Sequence, residues 1–125
     1  MKNENRERLE HIRSELEKIY NGNHYYIDGE LVDGEELTEE QMDDLEEATL
    51  YDYFEDGVLD VDYIVNSQKE YKACRILIAY GGPNIYINTF SRELELYWWT
   101  ESEKIELDSD ICNMIDEYME ELFNC

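Results

Sequence analysis

The stretch VLDVDYIVNSQKEYKACRILIAYGGPNIYINTFSRELELYWWT, residues 58–100, decides the fold class. Leu59, Val61, Tyr63 and Val65 alternate with Asp60, Asp62 and Ile64, the period of two that marks a half-buried strand. Asn66–Lys69 supplies a turn, and Tyr71–Tyr80 is apolar enough for a central strand. Gly81-Gly82-Pro83-Asn84 is a turn by composition. Asn84–Phe90 and Glu93–Thr100 read as third and fourth strands joined through Ser91-Arg92, with Lys104–Leu107 as a short edge strand. Connections this short make neighbouring strands antiparallel.

Outward from this core the period changes to that of a helix. On the N-terminal side, Leu9, Ile12, Leu16, Ile19 and Tyr20 share one face of a helix over residues 4–20, which Asn21-Gly22 ends. Asp28-Gly29 between Tyr25–Ile27 and Glu30–Val32 suggests a hairpin. Thr38 with Gln41 forms a capping-box pattern and predicts a helix from there to about Asp56, with Gly57 as its left-handed stop. Met42, Leu45, Thr49, Leu50 and Tyr53 form one arc of that helix, although Glu46 and Phe54 fit the wheel poorly. On the C-terminal side, Ile111, Met114, Ile115, Tyr118, Met119 and Leu122 stripe a helix over 109–123, with Asp110, Asp116, Glu117, Glu120 and Glu121 turned away from it. The expectation is one α+β domain over residues 1–125: an antiparallel four- to five-strand meander with about three helices.

The charge is the second strong signal. The formal net charge is −23, yet 42% of residues are hydrophobic and 13% aromatic, enough to build a core rather than a disordered tail. Residues 1–18 are neutral overall, 67–90 carry +2 and 91–125 carry −9. Residues 19–66 hold sixteen acids and no Lys or Arg. That density argues against nucleic acid or an anionic membrane as a direct partner. No apolar run approaches a membrane span, and the N-terminus lacks a signal-like apolar stretch. Three widely spaced cysteines without a CxxC read as reduced thiols in a cytoplasm.

The sequence offers little to catalysis. His11 and His24 adjoin no Ser or Cys nucleophile motif. Carboxylate pairs abound, but catalytic ones need burial and unequal surroundings. Counted from Asp28, a calcium loop would need an oxygen ligand at Val32 and a glycine at Asp33, so that pattern fails. Asp56, Asp60 and Asp62 could attract a divalent ion only as any acidic cluster does. Gly81-Gly82-Pro83 opens a strand rather than a helix, unlike a phosphate loop. No enzyme activity, cofactor or metal is expected.

A protein-binding surface is what remains. On the expected helix, Glu40, Asp43, Asp44, Glu47 and Glu55 lie opposite the apolar arc, at a spacing comparable to a row of backbone phosphates. If Leu94, Leu96 and Trp98 face the core, then Glu93, Glu95, Tyr97 and Trp99 face away. Asp60, Asp62, Tyr86 and Phe90 share that outward parity. Glu40, Asp43, Asp44, Glu47, Glu55, Asp60 and Asp62 are thus the candidate acidic contacts, and Tyr97 and Trp99 the apolar anchors. The competing expectation is a second sheet face covered by the first helix or by a homodimer mate.

CRILIAYGGPNIYINTFSRELELYWWT followed by an acidic C-terminal helix resembles, in type, uncharacterised small proteins of phages and mobile elements. The chain as a whole is similar to the acidic DNA-mimic inhibitors such elements make, the anti-restriction and anti-CRISPR proteins. No motif residue is carried over. The resemblance implies stoichiometric inhibition in a host cytoplasm, by occupying the basic DNA-binding or PAM-reading groove of a Cas nuclease or restriction enzyme. The alternatives are a non-enzymatic acidic partner of another basic protein, such as a regulator or toxin, a small structural or accessory phage protein, and, last, a calcium-dependent enzyme or binder.

Overall fold

The structure, a computed structural model, describes residues 2–55 and 58–125. Five antiparallel strands run in sequence order: β3 (Asp60–Val65), β4 (Tyr71–Ala79), β5 (Asn84–Asn88), β6 (Glu93–Trp98) and β7 (Glu101–Glu106). They are preceded by α1 (Lys2–Asn21), a separate hairpin of β1 (His24–Ile27) and β2 (Glu30–Asp33), and two short helices, α2 (Glu39–Asp43) and α3 (Leu50–Phe54). The last element is α4 (Ser109–Phe123). This is the expected α+β meander.

Local chemistry explains each boundary. Gly22, at φ 81°, closes α1 with its N–H on the Lys18 carbonyl. Asp28 and Gly29 both take positive φ, as the two-residue turn between β1 and β2 requires. Asn66 folds the β3–β4 turn by accepting from the backbone of Gln68 and Glu70. Asn88 does the same for Phe90 and Ser91 before β6.

The single helix expected after Thr38 is two helices. Thr38 does cap α2 with Gln41, as read, but Thr49 leaves the helical region at φ −125° and caps α3 reciprocally with Asp52. Between them the chain turns back, and Ala48 donates to the His24 carbonyl of β1 at 2.8 Å. A continuous helix would have stacked Glu40, Asp43, Asp44, Glu46 and Glu47 at three- and four-residue steps with no cation to offset them. The second capping box gives the backbone an alternative, and Ala48, Leu50 and Phe54 gain burial by taking it. The expected stop at Asp56-Gly57 lies outside the described residues.

The helices cover one face of the sheet. α1 crosses β6 and β7, α4 lies on β4, and the two helices touch each other. Leu9, Leu16, Ile76, Ile87, Leu94, Leu96, Ile115 and Met119 are fully buried between the layers. Asp116, expected to face away from the stripe, is instead half-buried and accepts from the Tyr71 hydroxyl at 2.6 Å and Thr89 Oγ1 at 2.7 Å. Burial and that bond push the Tyr71 phenol far above its ordinary range. The first helix therefore does not cover the second sheet face, where Asp62, Lys104 and Glu106 are exposed.

Candidate functional site

The acidic segment runs along the chain as a band from the β1–β2 hairpin to edge strand β3. Of the acids between residues 19 and 66 that the structure describes, every one is exposed except half-buried Asp33. Among the described residues none of them lies within ion-pair distance of a Lys, Arg or His. The ion pairs present join Arg6, His11 and Arg13 of α1 to nearby glutamates, and Arg75 to Glu95. The band bends with the chain: hairpin turn, 3-10 turn (Gly34–Glu36), α2, the connection to α3, and β3.

The candidate contacts are distributed along this band rather than on one helix face. Glu40 and Asp43 lie on α2 and Asp44 is its C-cap, so these three stay together. Glu47 falls in the extended connection, near Gly22 at the end of α1, and Glu55 follows α3. The expected straight row of carboxylates is therefore corrected to a three-acid cluster with outliers, because the helix that would have aligned them ends at Asp43 and restarts only at Leu50. Asp60 and Asp62 are exposed on edge strand β3 and face the uncovered side of the sheet, opposite Leu77 and Arg75.

The two anchors meet, but not as strand neighbours. Tyr97 ends β6, while Trp99 lies in the β6–β7 turn at φ 58° and is 90% exposed. They line one cleft of about 370 Å³ together with Tyr80 and Asn84 of the neighbouring turn. Leu59, Tyr80 and Trp99 are all strongly exposed, and the register puts all three at the same end of the sheet. A positive φ on a bulky residue costs free energy, so a tryptophan held there and in water is an unusual use of the side chain.

The sequence reading missed the centre of the uncovered face. Glu95 is only 4% exposed although its parity is outward. It accepts from Arg75 at 2.9 Å, Asn88 at 2.8 Å and the Tyr97 hydroxyl at 3.0 Å. The Arg75 guanidinium stacks 3.6 Å from the Tyr86 ring centre. Burial alone would raise the Glu95 carboxyl, but the bonds from Asn88, Arg75 and Tyr97 outweigh it and hold the group below its ordinary value. An Arg inside the apolar run ACRILIA was the available signal, since a cation on a central strand calls for an anion of the same parity two strands away.

His24 Nδ1 lies 2.8 Å from the Gly22 carbonyl, and His11 faces Glu15 at 3.6 Å. Burial raises the thiols of Cys74 and Cys112, the latter to about 11. Among the described residues no three His, Cys, Asp or Glu side chains gather in a metal-binding group, and no helix is long and apolar enough to cross a membrane. No protein family, curated protein or solved structure matches the chain.

Proposed function

We propose that the protein is a non-catalytic inhibitor whose acidic band takes the place of DNA in the basic groove of a host-defence nuclease. The observation that carries this reading is that the described acids of residues 19–66 are unpaired with any described Lys, Arg or His and, apart from half-buried Asp33, exposed. A surface acidic only for solubility usually intersperses Lys among Glu and loses little by doing so. A band without cations accepts self-repulsion in the free protein, and a cationic partner relieves it on binding. Asp43, Asp44 and Glu40 supply the densest negative charge, and Tyr97 and Trp99 supply apolar contact at the end of the sheet where β3 begins.

Reversing Asp43, Asp44 and Glu47 to Lys tests the reading. These side chains bury nothing, so the variant folds, while affinity for a Cas nuclease or restriction enzyme that binds the native chain falls at least about a hundredfold and association slows. Unchanged binding by the folded variant, or DNA and this protein bound together in the same groove, contradicts mimicry.

A further inference from the structure

Between α1 and α3 the helical layer leaves a trough that the acidic band does not account for. Three clefts of about 620, 270 and 430 Å³ adjoin one another there. The first and second share Ile12 and Ile85, and the second and third share Tyr53. The floor is apolar, formed by Ile12, Ile78, Ala79, Ile85 and Phe54. The rim is acidic: Glu4 and Glu7 at one end, Glu15 at the middle, Asp52 and Glu55 at the other. Its two basic side chains already have neighbours. Arg8 lies 5.6 Å over the Trp98 ring and His11 is 3.6 Å from Glu15.

We propose that this trough is a docking groove for a basic amphipathic helix of a protein partner. Between Ile12 of α1 and Phe54 of α3, its floor is the helix-side face of β4 and β5 rather than an edge strand, so an occupant binds through side chains rather than by adding a strand. Apolar side chains at helical spacing fit the floor, and flanking Lys or Arg meet the rim. The same rim repels nucleic acid. The groove shares Asp52 and Glu55 with the acidic band, but its floor and the Glu4–Glu7 end of its rim lie outside the band, so a peptide that fails to bind there leaves the proposed DNA competition untouched.

The probe is a synthetic Leu/Lys amphipathic helix of about five turns. Its control has the same composition with the leucines scattered around the helix. Titration into the isotopically labelled full chain should shift amides centred on Ile12, Tyr53, Ile78 and Ala79. The amphipathic peptide should bind at least about tenfold tighter than the control. Glu7→Lys with Glu55→Lys should weaken binding about tenfold, and Glu120→Lys with Glu121→Lys, an equal charge change on α4, less than about threefold. Lys suits the helix C-termini at Glu55, Glu120 and Glu121, and Glu7 is exposed on α1, so both variants keep the native near-UV spectrum. Equal binding of the two peptides, shifts spread over residues 35–47, or equal weakening by the two variants overturns the proposal.

Discussion

A carboxylate that accepts from Arg75, Asn88 and Tyr97 at once loses those bonds when it is protonated or replaced. Glu95→Gln keeps the shape but leaves donors facing an amide, and should cost about 2–3 kcal/mol near neutral pH. The sign with pH follows from the depressed pKa. Glu95 titrates below its ordinary 4.5 in the folded chain, so its contribution is complete above about pH 5 and is lost as pH falls through the folded value. Urea melts of wild type and Glu95→Gln should therefore differ by a constant amount from about pH 7 to pH 5 and converge as pH falls through the lowered folded value. A gap that widens on acidification would mean the pair is not organised as described. The amide replacement of Asp116 is a second test at this scale. Asp116→Asn weakens the bonds from Tyr71 and Thr89 and should lower stability by about 1–3 kcal/mol in the same melts.

At the scale of elements, the two capping boxes look alike and should behave differently. α3 buries Leu50 and Phe54, whereas α2 buries none of its residues. Thr49→Ala should therefore lower global stability by about 1 kcal/mol, and Thr38→Ala should fray α2 while changing the melt by only a few tenths. Hydrogen exchange would separate the cases, with loss of protection confined to α2 in the second variant. The strands, most of their turns and the first and last helices were legible because hydrophobic period and turn chemistry agreed at those boundaries; the last hairpin was the exception, since β6 stops at Trp98 and β7 begins at Glu101 rather than Lys104. The helix after Thr38 was not, because Thr49-Leu50-Tyr51-Asp52 was read as interior rather than as a second cap. The poor fit of Glu46 and Phe54 to one wheel was its trace. Trp99 was placed on a strand by parity, which cannot see that the chain turns through positive φ at that residue. Glu95 and Asp116 were read as solvated because their partners come from distant strands, and only the register brings those together.

For the whole molecule, charge and fold pull against each other. With a net charge of −23 and the densest acids unpaired, folding gathers like charges that the unfolded chain keeps apart. Raising salt from about 20 mM to about 500 mM shortens the screening length and should raise the melting temperature by several degrees. A melting temperature flat or falling with salt would show that the band is less repulsive than its exposure implies. The same salt should weaken binding to a basic partner, so stability and affinity move in opposite directions. The most direct measurement of the central claim is displacement of labelled DNA from a candidate nuclease that binds this protein, titrated at several salt concentrations. The account predicts complete, stoichiometric displacement of DNA, with an affinity that falls steeply and log-linearly with salt. A ternary complex retaining DNA in its groove, or an affinity indifferent to salt, would contradict it.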